Sequence, residues 1–168
     1  MNPIKKILAP TDLSELSQAG VRYALNLARA IGAEVTVYHV ADWSYPAERE
    51  DASLERPPVD KAFDRYERLR KSRQLALARF LNSHFSDLIP WVKIREKVEL
   101  GAPEKQIVEW AKTDGADLIV IAIGARGGAS DQLAGSVAAE VVCNANCPVL
   151  SVRPKPQEPE EQELTATG

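Results

Sequence analysis

Asp117-Leu118-Ile119-Val120-Ile121-Ala122 is an almost purely apolar run set between turn signals, Gly115 before it and Gly124 after it. A strand with that pattern is covered on both faces, the situation of a central strand in a parallel sheet. Parallel strands need crossover helices, and the flanking sequence supplies them. Upstream, Gly101-Ala102-Pro103 opens a helix with proline in its first turn, where a missing N–H costs nothing, and Gly115 closes it. Downstream, a glycine-rich loop leads into a helix around Ser136 to Ala145 and then a last strand, Pro148 to Val152.

The alternation continues further out. Ile4 to Ala9 reads as a short first strand broken by Pro10-Thr11-Asp12. Asp12 or Ser14 then caps a helix whose Leu16, Gly20, Tyr23, Ala24, Leu27 and Ile31 recur at spacings of three and four, with Gly32 as its left-handed stop. Glu34 to Val40 is rich in β-branched and aromatic residues and predicts a second strand. Ala41 to Asp60 carries three prolines and many charges without periodicity, a surface excursion. Val59 to Phe85 predicts a long helix with Phe63, Tyr66, Leu69, Leu77, Phe80 and Leu81 along one side, and Trp91 to Leu100 a third strand. The order β-α-β-α-β-α-β-α-β implies an α/β fold, a doubly wound five-stranded parallel sheet with helices on both faces and right-handed crossovers.

Composition bounds the class. A length of 168 residues fits one domain, and 45% hydrophobic with 27% charged residues is the balance of an ordinary globular chain. The net charge of −3 is matched by the end of the chain alone, where Lys155 to Gly168 holds one Lys and four Glu. With almost nothing to bury, residues 154–168 are expected to be a disordered acidic tail behind a domain at 1–153. A body near neutrality lacks the basic face that nucleic acid requires and the anchor charge of a membrane-surface protein. Leu118 to Ala125, the longest uncharged apolar stretch, is far shorter than the roughly 18–20 residues of a membrane span. The amino-terminal apolar run stops at Pro10, too early for a signal peptide, so a cytoplasmic protein is expected. Cys143 and Cys147 have no histidine close by to complete a zinc site and read as two reduced, buried thiols.

In an open parallel sheet, ligands sit beyond the carboxyl ends of the strands, near the point where strand order reverses. Two loops occupy that edge: Pro10-Thr11-Asp12 after the first strand and Gly124 to Ser136 after the fourth. Helix N-termini there favour phosphate, glycines allow close backbone approach, and Ser136 adds a hydroxyl. Glycine and a capping serine also occur in βα turns that bind nothing. Gly124, Gly127 and Gly128 do not form G-x-G-x-x-G, and no Walker A loop is present. Neither His39 nor His84 has an evident serine or cysteine nucleophile beside it, and Asp12, suited to capping or to ligand contact, is a lone carboxylate. The chain does not read as an enzyme.

Ile7-Leu-Ala-Pro-Thr-Asp-Leu-Ser14, Ala24-Leu-Asn-Leu-Ala28, Val37-Tyr-His-Val40, Gly101-Ala-Pro103, Asp117-Leu-Ile-Val120, Gly135-Ser-Val-Ala138 and Cys147-Pro-Val-Leu150 together resemble the universal stress protein family. The resemblance runs up to Arg153. It implies a Rossmann-like sheet of the adenine nucleotide α-hydrolase type with strand order 3-2-1-4-5, and a homodimer formed through the last strand, Val149 to Val152. In one branch of the family it also implies ATP, with Mg, bound through G-x2-G-x9-G-[ST]. Here Gly135-Ser136 keeps the end of that motif, while its first two glycines fall at Ala122 and Ala125; Gly124 and Gly127 offer a shifted alternative. Asp12 and Val40 match positions that contact the nucleoside in ATP-binding relatives. The implied nucleotide-binding set is Pro10, Thr11, Asp12, Val40, Ala122, Gly124, Ala125, Arg126, Gly127, Gly135, Ser136 and Val137. Alanine adds a methyl where backbone must approach phosphate, so the alternative is a nucleotide-free homodimeric interaction protein of the same fold. Related α/β proteins that cleave or transfer AMP carry a serine- and glycine-rich loop after the first strand, and Pro10-Thr11-Asp12 is not one.

Overall fold

The computed structural model describes residues 3–43, 59–124 and 131–154, the side chains of 59–60 and 131–135 excepted. Five strands, β1 (Lys6–Pro10), β2 (Glu34–Ala41), β3 (Lys93–Leu100), β4 (Leu118–Ala122) and β5 (Val149–Val152), form one sheet. Every pairing is parallel, and the order is β3-β2-β1-β4-β5, as expected. Helices α1 (Glu15–Ile31), α2 (Val59–His84), α3 (Pro103–Asp114) and α4 (Asp131–Asn144) make the crossovers. Ala125, Arg126, Gly127 and Gly128 of the glycine-rich loop, most of the excursion after β2, and the tail from Lys155 lie outside the described residues.

β4 is buried at all five positions, and successive side chains point to opposite faces, so its apolar run feeds two cores at once. Leu118 and Val120 join Ile7, Ala9, Val35 and Val37 under α1 and α2. Ile119 and Ile121 join Leu8, Tyr38 and Val40 under α3 and α4, where Ile107, Ala111, Ala138 and Val141 close the layer. Each large aliphatic side chain buried this way contributes about 1.5–3 kcal/mol of transfer free energy. Asp117 ties the start of β4 to the start of β1, accepting from the backbone N–H groups of Lys5 and Lys6 at 2.9 Å each. Those two donors hold its carboxyl below the usual carboxylate range.

Gly32 and Gly115 terminate α1 and α3 in the left-handed conformation, φ 74° and 68°, as the sequence implies. Gly20 has a different task. A methyl placed there would come within 2.9 Å of the Ala122 backbone nitrogen, so the absent side chain is what lets α1 lie on the end of β4.

Three expectations are corrected. The buried face of α1 is Ser17, Gly20, Val21, Ala24, Leu25 and Ala28, while Tyr23 and Ile31 point to solvent. On α2 the buried residues are Leu77, Phe80 and Leu81, and Phe63 is exposed because it lies beyond the part of the helix that covers the sheet. β3 starts at Lys93, preceded by a 3-10 turn over Ile89–Trp91 that leaves Trp91 exposed.

Candidate functional site

β1 delivers Pro10, Thr11 and Asp12 to the carboxyl edge of the sheet, where the strand order reverses between β1 and β4. The turn after Pro10 is fixed by its own polar groups. The Thr11 N–H donates to the Tyr38 carbonyl (2.9 Å), its hydroxyl pairs with that of Ser17 (2.7 Å), and the Leu13 N–H donates to Thr11 Oγ1 (3.0 Å). Leu13 is held at φ 66°, an uncommon conformation for a non-glycine residue and the kind of local strain that collects at binding sites. Ser14, not Asp12, is the N-cap of α1, its hydroxyl accepting from the Ser17 N–H. Asp12 is placed by Ser14, whose backbone N–H (2.9 Å) and hydroxyl both donate to its Oδ1. Partial burial works to raise the Asp12 pKa, but the Ser14 hydrogen bonds outweigh it and the net shift is downward, so the group is ionised at neutral pH.

A cavity of about 420 Å³ opens beside this turn. Its lining includes Pro10, Thr11, Asp12, Val40, Ala122, Ser136 and Val137 of the residues expected from the sequence. Asp12 and Ser136 thus face one space, and Ala122 lines that space without filling it. Gly124, one residue past the backbone bond from Ile123 to Val152, falls beyond the lining. Gly135 and Ser136 lie in the second turn of α4, which begins at Asp131, and not at its amino terminus as the loop reading had them. Ala125, Arg126 and Gly127 are outside the described residues.

The sequence reading missed the wall opposite Asp12, made by Tyr38, Asp42, Ala102, Pro103, Glu104 and Ile107. Two signals pointed there: Tyr38 is two residues from Val40 and so on the same face of β2, and Gly101-Ala-Pro103 leaves β3 at the same sheet edge. Tyr38 is fully buried and donates to Glu99 Oε2 at 2.5 Å. Its ring stacks on Trp110 with centroids 6.0 Å apart, and the Lys97 ammonium sits 4.2 Å from the Trp110 centroid and 3.0 Å from the other Glu99 oxygen. Burial, and then the Glu99 hydrogen bond, push the Tyr38 phenol far above its ordinary value, so it remains a neutral donor.

Behind the turn, His39 Nδ1 lies 2.9 Å from the Thr11 carbonyl. A carbonyl only accepts, so Nδ1 carries the proton, and buried Nε2 has no hydrogen-bond partner among the described residues. Burial is the main cause of a pKa below the ordinary 6.5; Arg73 adds to it, while the Thr11 bond and Asp12 oppose it. The unfolded chain therefore binds the His39 proton more readily than the folded one, and stability is complete above about pH 6.5 and falls as pH drops below it. The expected slope is at most about 1.4 kcal/mol per pH unit, read from urea unfolding between about pH 7.5 and 5.5. H39N should flatten that slope even where its stability at neutral pH is lower; an unaltered slope would assign the acid sensitivity elsewhere. Of the two thiols expected to be buried, Cys143 is exposed on α4, and Cys147 is half-buried before β5, its pKa raised by burial and by Asp117.

A sequence profile of the universal stress protein family matches residues 3–153. Universal stress protein MJ0531 of Methanocaldococcus jannaschii is 36% identical over 157 residues, covering 90% of this chain and 84% of that protein. The universal stress protein UspA from Lactobacillus plantarum superposes with a TM-score of 0.66 at 26% identity, over 91% of this chain and all of the other. A universal stress protein crystallised in complex with cAMP shares the fold, with a TM-score of 0.55 at 21% identity over 92% of this chain and 100% of that one. With a family profile over nearly the whole described domain and a relative 36% identical along most of its length, the chain belongs to the universal stress protein family.

Proposed function

We propose that this protein binds an adenine nucleotide, ATP or a relative of it, in the cavity between β1, β2, β4 and α3, and acts by holding that ligand rather than by chemistry on it. The observation that carries this reading is the convergence of Asp12, Val40, Ala122 and Ser136 on one space of about 420 Å³, a volume within the range of small-molecule sites. The apolar pair Val40 and Ile107 suits a base, and the carboxylate of Asp12 suits a hydroxyl or amino donor. The protein solved with cAMP shows an adenine nucleotide accepted on this fold.

Calorimetry of nucleotide-stripped protein with ATP, with and without Mg, tests the reading; absence of both heat and thermal stabilisation at saturating ligand discards it. Asp12→Ala is expected to weaken binding by about tenfold or more, the loss of one charged hydrogen-bond acceptor. Ala122 favours the second reading, a nucleotide-free module, because its methyl stands where a phosphate-loop glycine would allow closer approach. Under it, Ala122→Gly combined with Ala125→Gly creates ATP affinity that the parent lacks.

The protein is further proposed to pair through β5. Val149–Val152 is bonded to β4 on one side, so its other edge is available to a second copy. A solution mass at micromolar concentration is expected to be that of a dimer, and a monomer would overturn the pairing. Among the described residues no helix is long and apolar enough to cross a membrane. Two free thiols suit a reducing compartment, and the cytoplasm is the proposed location.

A further inference from the structure

His39 does not line the cavity, yet its ring reaches from β2 to the turn that does. Thr11, the residue before Asp12, has every polar group engaged. Its N–H donates to the Tyr38 carbonyl, its hydroxyl pairs with Ser17 and accepts from the Leu13 N–H, and its carbonyl accepts from His39 Nδ1 at 2.9 Å. A peptide unit is planar, so the direction of the Thr11 carbonyl also fixes the N–H and Cα of Asp12. The ring is 4% exposed, and its buried Nε2 has no hydrogen-bond partner among the described residues, which leaves the Thr11 carbonyl as the partner that orients it. One residue beyond Asp12, Leu13 stands at φ 66°, a conformation that persists where surrounding contacts over-determine it.

We infer that His39 is a positioning residue of the adenine site: by holding the Thr11–Asp12 peptide plane it places the Asp12 carboxylate at the cavity, without touching the ligand itself. This rests on the adenine-site reading above and deepens it. The same bond makes the turn sensitive to protons. Asp12 in the turn and Arg73 on α2 act on the ring. From β3 its register partner is Val98, while Lys97 and Glu99 point to the other face of the sheet, against Trp110 and Tyr38. The α1 residues buried against the sheet carry no charge. A second proton goes to Nε2, which is buried without a partner, so the charged ring gains hydration by leaving its place, and the Thr11 carbonyl then loses its donor. The neutral ring is the form that holds the turn, which is therefore complete above about pH 6.5 and loosened as pH falls below it.

Titration calorimetry of the full chain with ATP, on the parent, His39→Asn and His39→Leu, tests the role. Asparagine sets an amide N–H where Nδ1 stands, and leucine offers no donor. At about pH 7.5 His39→Leu is expected to bind ATP about five- to tenfold more weakly than the parent, and His39→Asn to stay within about threefold of it, although both substitutions remove packing. Between about pH 7.5 and 5.5 the parent's affinity relative to that of His39→Asn should fall by about three- to tenfold, the titration of ATP itself cancelling in the ratio. Parent-like binding by His39→Leu, a loss in His39→Asn equal to that in His39→Leu, or a level ratio across the pH range overturns the inference and leaves the adenine site standing. Hydrogen exchange at the Leu13 amide, bonded to Thr11 Oγ1, reads the turn without ligand and should be faster in His39→Leu than in His39→Asn. ATP binding to none of the three proteins overturns the adenine site, and equal Leu13 exchange in His39→Leu and the parent overturns the hold of His39 on the turn.

Discussion

Tyr38→Ala is expected to lower the free energy of unfolding by about 3–5 kcal/mol, the cost of deleting a large aromatic side chain from a packed interior. Domain stabilities are about 5–15 kcal/mol, so this one change removes a large share of the total. Three losses combine. The ring is fully buried, it stacks on Trp110, and its hydroxyl donates to Glu99, which would keep the half-buried Lys97 as its ion-pair partner. Tyr38→Phe keeps the ring and removes the donor alone, so about 1.5–3 kcal/mol is expected for a hydrogen bond to a charged group. Urea unfolding of both variants reads the difference. A Tyr38→Ala protein that loses under about 1 kcal/mol would mean that the wall behind the cavity is not packed as described.

Gly20→Val carries the second large effect, and two opposing terms decide its sign. Leaving glycine improves helix propensity by a few tenths of a kcal/mol for valine and up to about 1 kcal/mol for alanine. Against that, the first carbon of the side chain meets the backbone nitrogen of Ala122 at 2.9 Å and its Cβ at 3.3 Å, and a backbone atom inside a central strand has little room to yield. Overpacking of this kind costs about 1–3 kcal/mol and more for branched side chains, so the clash wins. For a domain of this length the melting temperature should drop by about 5–10 °C in Gly20→Val, with Gly20→Ala intermediate. Because Ala122 also lines the cavity, the same substitution should weaken ligand binding. A Gly20→Ala protein that melts higher than the parent would mean that α1 and β4 stand further apart.

Much of this was legible because burial on both faces leaves a mark that survives without tertiary knowledge. Leu118 to Ala122 has no polar residue, and only a strand sandwiched between helices tolerates that. Gly32 and Gly115 announced their helix ends because few other residues take a positive φ. The face of α1 was not legible. Two overlapping stripes run along it, and the sheet chose the one with small residues, since Ser17, Gly20, Ala24 and Ala28 permit close approach where Tyr23 and Ile31 do not. At the site, Asp12 and Val40 were recognisable from motif, but the wall of Tyr38, Pro103, Glu104 and Ile107 is assembled by the β2–β3 register, which pairs Val40 with Glu99 and Ala41 with Leu100. Local spacing put Tyr38 on the face of Val40, but it carried no record of which β3 residues would stand beside them. The position of Gly135-Ser136 inside α4 was missed for the opposite reason: Ala, Leu and Gln before it are good helix formers, and the glycine drew attention away from them.

β1 sits at the centre of the sheet, yet its two neighbours come from very different distances along the chain. β2 follows within one helix, whereas the contact that fastens β1 to β4 joins Lys5 to Asp117, 112 positions away. During synthesis from the amino end, β1 emerges well before β4 and is therefore enclosed late. Until β4 has been made, Ile7, Leu8 and Ala9 offer an open, apolar, hydrogen-bonding edge to whatever is nearby, and closing so long a loop is slow. A nascent chain stalled before residue 117 should be the form of this protein most prone to aggregate, and the most dependent on a chaperone that shields strand edges.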